Sequence, residues 1–130
     1  MFAVDSAGQV LLRSLADQPY DPAEPLAEAL QSWPMLVKPG AVAAGYSGDD
    51  SERARRSVVA LDRSGHVLLL ACGTSSFTLQ DLGAWLLASD LEIDSALNLD
   101  GGSSTGLYAN NQIQVDAFVR LPQVLLAEPR

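Results

Sequence analysis

The sequence predicts an α+β fold: a mixed, largely antiparallel sheet with one principal helix packed on it, over about residues 78–89. Three observations carry this expectation. In RSVVALDRSGHVLLLAC two apolar runs flank the turn-forming DRSG, which is the pattern of a hairpin. Directly after it, Leu79, Leu82 and Leu86 recur at spacings of three and four, the period of a helix with one apolar face. Then IDSALNLD, a buried-strand pattern, runs straight into Gly101 and Gly102.

The elements follow in chain order. MFAVDSAGQV opens as a strand and turns at Ser6, Ala7 and Gly8, giving a hairpin over residues 1–15. The proline-rich DQPYDPAEP is turn-like, and Asp21, Pro22 and Glu24 are placed to cap a short helix carrying Leu26 and Leu30. A brief strand over Met35 to Val37 is stopped by Pro39 and Gly40, and the polar loop GYSGDDSERAR follows. The central hairpin comes next, with Asp62 opening its turn and Gly65 closing it. Its nearly continuous apolar strands call for cover on both faces. The helix has Thr78 as N-cap, Trp85 beside its apolar stripe, and an end near Ser89. After the aspartate strand, GLYANNQIQVDAFVRL folds back at Asn110 and Asn111, and PQVLLAEP is expected to form a last strand.

At 130 residues the chain is sized for a single domain, 1–130, around one core. The formal net charge is −8 and Lys38 is the only lysine, so long-range electrostatics repel nucleic acid and anionic membranes. An anionic ligand must therefore be held by local donors. No run approaches the roughly 18 apolar residues of a membrane span. One cysteine, Cys72, excludes an intramolecular disulfide and is compatible with cytosol or export. The first residues lack the basic and apolar regions of a signal peptide. An opening inside a strand suggests an N-terminally truncated domain, whose open sheet edges would favour pairing with a second copy.

The segment of greatest chemical interest is ALNLDGGSST. A carboxylate at the end of a buried strand must be solvated, paired or used. Glycines at 101 and 102 permit positive φ, so the N–H groups of Gly101, Gly102 and Ser103 can form an anion-binding nest. Ser103, Ser104 and Thr105 add hydroxyl donors, and Asp100 is left to act on a nearby bond or water. Asn98 falls on the same side as Asp100 by strand alternation and can orient the carboxylate or a sugar hydroxyl. Spacing alone equally allows a tight turn in which Asp100 and Asn98 hydrogen-bond the backbone.

ALNLDGGSST also resembles the hallmark segment of the phosphodiester glycosidase family. WPMLV, RRSVVALDRSGHVLLLAC and FTLQDLGAWLL precede it in the order that family shows, so the resemblance covers nearly the whole chain. Ser103 stands where the family has a third glycine, and Arg56–Ser57 where it has arginine and threonine. Family members also carry an upstream asparagine-glycine-aromatic segment that contributes to the same site, and this chain begins after that point. The resemblance implies hydrolysis of a sugar-1-phosphodiester in glycan processing, with a glycan or sugar phosphate as substrate. It also implies export or a cell-envelope location. The alternative is a non-catalytic carbohydrate- or phosphate-binding remnant lacking the upstream half of the site.

On that resemblance Asp100 is the catalytic carboxylate, as base, nucleophile or stabiliser of an oxocarbenium-like centre. Arg56 is the phosphate clamp, since a guanidinium grips phosphate oxygens as a fork; its alternative is a salt bridge with Asp49, Asp50 or Glu52. Arg53 and Arg55 are assigned to the solvated run around them. Asn98, Gly101, Gly102, Ser103, Ser104 and Thr105 are the substrate-binding set. A glycosidase usually places a second carboxyl roughly 5 to 9.5 Å from the first. Asp94 is roughly 20 Å along the strand and too far, and Asp116 reads as an exposed hairpin aspartate, so that partner is unassigned. No cofactor or metal pattern is present: His66 has neither a cysteine nor a second histidine near it. Cys72 and Trp85 read as core, and Trp33 and Trp85 alternatively as sugar platforms.

Overall fold

The computed structural model describes residues 1–43, 52–110 and 112–128. Its central sheet grows from the DRSG turn. β6 (Ala54–Asp62) and β7 (Val67–Phe77) flank it. The Asp62 carboxylate accepts the N–H groups of Ser64 and His66, each at 2.8 Å, and Gly65 supplies φ 83°. A short acidic side chain and one residue free of a Cβ thus satisfy the donors that the reversal leaves unpaired. On the other side of β6 lies β8 (Ile93–Asn98), then β4 (Met35–Lys38) and β5 (Ala41–Val42), in the order β5-β4-β8-β6-β7. Gly40, at φ 77°, turns the chain between β4 and β5.

A second sheet has the order β2-β1-β3. β1 (Phe2–Asp5) and β2 (Val10–Leu12) form the expected hairpin, with Asp5 capping the turn and Gly8 at φ 84°. β3 (Leu26–Leu30) corrects the helix expected there: the segment pairs antiparallel with β1, Phe2 opposite Leu30 and Ala3 opposite Ala29. The capping signals are real but stay local. Asp21 accepts from Ala23 N–H and from Glu24 N–H in a single turn. Pro25 then disfavours helical geometry at Glu24, and the open edge of β1 takes the chain instead.

The helix α1 (Leu79–Ala88) is capped by Thr78, whose hydroxyl accepts the Asp81 N–H, and ends at Ser89. Alternation along β6 divides the core between two faces. Val58 and Ala60 join Leu79, Leu82 and Leu86 beneath α1, with Ile93 and Ala96. Val59 and Leu97 point the other way and meet Phe2, with Val4, Val10 and Leu12 around it. The central sheet is therefore the middle layer between α1 and the N-terminal sheet, which accounts for its continuous apolar sequence. Every strand pairing among the described residues is antiparallel.

β9 (Leu107–Ala109) and β10 (Ile113–Val115) form the last hairpin. Asn110, at φ 47°, takes the left-handed position of its turn; Asn111 lies outside the described residues. The final strand expected from PQVLLAEP is absent over the described residues 122–128. Leu125 packs on the core around Val59, but Val124 and Leu126 stay exposed, and the segment pairs with no strand among the described residues.

Candidate functional site

The ladder between β6 and β8 delivers the aspartate. Val58 pairs with Asn98, and one residue beyond β8 the Leu99 N–H still donates to the Ser57 carbonyl, at 2.8 Å. Asp100 then leaves the sheet at an exposed bend. Gly101 returns against β6 so closely that a Cβ there would lie 2.9 Å from the Arg55 carbonyl oxygen and 3.7 Å from the Arg56 Cα. The same Cβ would lie 3.8 Å from the Thr105 hydroxyl. Only glycine fits that position without moving backbone. Gly102 follows at φ 60° and starts a single 3-10 turn, Gly102–Ser104.

Within this turn Ser104 N–H donates to Gly101 O at 3.0 Å and Thr105 N–H to Gly102 O at 3.3 Å. Among the described residues the N–H groups of Gly101, Gly102 and Ser103 have no protein acceptor. Three consecutive donors are thus left for water or an anion. The three hydroxyl residues divide: Ser103 is exposed and Ser104 half-buried, whereas Thr105 is fully buried under the turn. Its Oγ1 has no hydrogen-bond partner.

Arg56 and Asn98 are brought to the neighbourhood of this turn, each engaged by backbone. Arg56 lies beside Gly101 through its Cα, while its guanidinium extends toward α1, donating to Phe77 O at 3.3 Å and Glu52 O at 2.8 Å. It stands at the edge of an apolar cavity of about 230 Å³ with Cys72, Phe77 and Trp85 among its walls. Asn98 donates through its amide to Trp33 O at 3.0 Å, and its N–H to Pro34 O at 2.9 Å. Its Oδ1 is buried without a partner. Its amide hydrogen bond therefore goes to the β3–β4 connection, not to Asp100.

Arg55 does not belong to the solvated run. It is 7% exposed, donates to Asp116 O at 2.7 Å, and lays its guanidinium under the Phe118 ring, 4.0 Å from the centroid. Its Nε and Nη1 are buried with no partner. The signal lay in no local pattern. A bulge between Ala54 and Arg56 breaks the alternation that would have placed it, and its cover comes from residues 116–118. Arg53, by contrast, is exposed in an ion pair with Asp81 at 3.0 Å.

The remaining candidates take ordinary places. His66 bonds Asp62 through Nδ1 at 2.8 Å, and this contact holds the Asp62 carboxyl below its ordinary value, helped by the His66 and Ser64 N–H groups. Cys72 is half-buried, with its thiol on Thr74 O. Trp85 is half exposed, not core, and packs on Phe77 at 5.9 Å between centroids; Trp33 is exposed. The Asp116 carboxylate is exposed and accepts from Gln114 at 2.8 Å. Among the described residues no group of three or more His, Cys, Asp or Glu is placed to hold a metal ion, and no helix is long and apolar enough to cross a membrane.

No curated protein matches the chain at a significant level. The family model described as phosphodiester glycosidase matches residues 1–125, a span that takes in the β6–β7 hairpin, α1, the aspartate strand and the Gly-Gly turn after it. By that match the chain belongs to the phosphodiester glycosidase family.

Proposed function

We propose that the chain hydrolyses a sugar-1-phosphodiester, releasing the free sugar and a phosphomonoester, with Asp100 as the reacting carboxylate. The observation that carries this reading is the turn after β8: an exposed aspartate followed by three N–H groups without acceptors among the described residues. In the reaction the anomeric C–O bond breaks, water supplies hydroxide to the anomeric carbon, and its proton goes to solvent or to the departing phosphate. Asp100 draws the proton from water or stabilises positive charge at the anomeric carbon. The N–H groups of Gly101, Gly102 and Ser103, with the Ser103 and Ser104 hydroxyls, receive the phosphate oxygens.

This leaving group relaxes the demand for a second carboxyl. A phosphomonoester has a second pKa of about 6, so it departs as an anion without a strong general acid. The donors that hold it do the work that a protonated carboxyl does for an alkyl glycoside. Asn98 fixes the Trp33–Pro34 segment next to β8, Thr105 supports the turn from below, and Arg56, whose guanidinium is held by Phe77 O and Glu52 O, flanks the turn through its backbone beside Gly101. We take residues 1–130 as one folding unit. The test is release of sugar from an N-acetylglucosamine-1-phosphodiester: turnover by the parent with loss in Asp100→Asn supports hydrolysis.

A second reading is a binding module that holds a glycan phosphate without turnover. It is favoured by the Arg56 guanidinium, which donates to Phe77 O and Glu52 O on the side of α1. Saturable binding of the phosphodiester with no sugar release selects this reading.

A further inference from the structure

We propose that Phe118 is the sugar platform of this site, its outer face taking the C–H face of a pyranose while Arg55 backs its inner face. The inference rests on the reading of the Asp100 turn as a sugar-phosphate site, and adds to it a residue outside the ALNLDGGSST segment. Phe118 is 75% exposed, yet its placement is fixed from three directions. Its N–H donates to Ser103 O at 2.8 Å, tying the ring to the Gly-Gly turn itself. The residue before it, Ala117, packs on Gly106, where a Cβ would approach the Ala117 methyl to 3.4 Å. Two residues before, Asp116 O accepts from the buried Arg55 guanidinium, which also lies 4.0 Å under the ring centroid.

A single exposed phenylalanine needs no explanation. A buried cation committed to holding one does. Desolvating a guanidinium costs several kcal/mol unless it is repaid, and Arg55 has two nitrogens without partners. Its contacts with protein fix the segment 116–118 beside Ser103 and cover only one face of the ring. Such a ring is already ordered before a ligand arrives, so stacking costs little conformational entropy. Its flat apolar face suits the axial C–H face of a sugar, next to donors suited to the phosphate on C1.

The test compares parent, Phe118→Ala, Phe118→Leu and Phe118→Tyr in titrations with two probes, N-acetylglucosamine 1-phosphate and inorganic phosphate. Leucine keeps apolar bulk and removes the flat ring, so it decides the matter if the alanine variant loses its fold. The expected result is sugar-phosphate affinity lowered about three- to tenfold in Phe118→Ala and Phe118→Leu, and kept in Phe118→Tyr. Inorganic phosphate affinity stays at the parental value in all four. Parental sugar-phosphate affinity in Phe118→Leu overturns the platform alone. A parallel loss of both probes also overturns it, showing that Phe118 only shapes the turn. A parent that binds neither probe overturns the sugar-phosphate site, and the platform with it.

Discussion

Replacing Gly101 by alanine probes the join between the aspartate turn and the sheet. The added Cβ would sit 2.9 Å from the Arg55 carbonyl oxygen, closer than methyl carbons approach oxygen in folded proteins, and the obstructing atom is backbone. No side-chain rotation relieves the contact. Either β6 yields at Arg55–Arg56 or the Asp100–Gly102 turn lifts away from it. Overpacking of this kind costs about 1–3 kcal/mol, which for a chain of this size lowers Tm by about 3–10 °C. Turnover falls as well: a shift near 1 Å at a reacting group costs about 100-fold in rate, so a displacement of a few tenths of an ångström is expected to cost roughly tenfold. Gly40→Ala is the control. Gly40 has φ 77° and open space around it, so alanine there meets left-handed strain without a clash, between β4 and β5 and away from the Asp100 turn. That strain costs about 1–2 kcal/mol, lowering Tm with turnover intact. Circular dichroism melts and the sugar-release assay read both quantities. A Gly101→Ala protein with parental Tm and parental turnover would refute the close approach of turn and strand.

Other outcomes follow from the same contacts. Leu86, on the sheet-facing side of α1, is 1% exposed, so Leu86→Ala is expected to cost about 2–5 kcal/mol in denaturant titration. A loss under about 1 kcal/mol would mean that the helix is not packed on the central sheet as described. Asp62 is held below its ordinary pKa of 3.8 by the His66 side chain. Because the folded value is the lower one, the carboxylate contributes stability above the unfolded pKa and loses it as pH falls through the folded value. The Tm advantage of the parent over Asp62→Asn is therefore expected to shrink as pH falls below that ordinary value. An advantage that grows as pH falls below that value contradicts the turn chemistry. Finally, among the described residues β5 and β7 each leave one edge of the central sheet unpaired, and we propose that copies associate there. Sedimentation over a concentration series is expected to show a rising mass; a constant monomer mass removes that proposal.

The parts of the fold that were legible in sequence are those closed by local chemistry. Asp62 with Gly65, the run Ser6, Ala7 and Gly8, and Thr78 ahead of Leu79, Leu82 and Leu86 each announce an element within a few residues. They do so because the donors that each element leaves unpaired are met by side chains next to them. The misread segments depend on distant partners. Asp21 caps a turn in either outcome, and only the free edge of β1 makes Leu26–Leu30 a strand. PQVLLAEP has strand-like residues, but it anchors through Leu125 on the core and pairs with no strand among the described residues.

The candidate site divides in the same way. Gly101 was legible as a glycine that matters, although the reason differs from the one inferred: its φ is −127°, and it is the approach of Arg55 O that excludes a side chain. Asn98 was assigned by alternation that ends with β8, since the chain bends at Asp100. Arg55 looked like one more charge among Arg53 and Arg56, and its burial is decided by a segment 61 residues away. Phe118 gave no signal at all for the same reason.

What decides the function is turnover. Sugar release from an N-acetylglucosamine-1-phosphodiester, followed with purified parent and with Asp100→Asn of matching Tm, should show hydrolysis by the parent and at least a roughly 100-fold loss in the variant. Equal rates in the two proteins, or no release by a folded parent, would contradict the assignment of Asp100 as the reacting carboxylate of this chain.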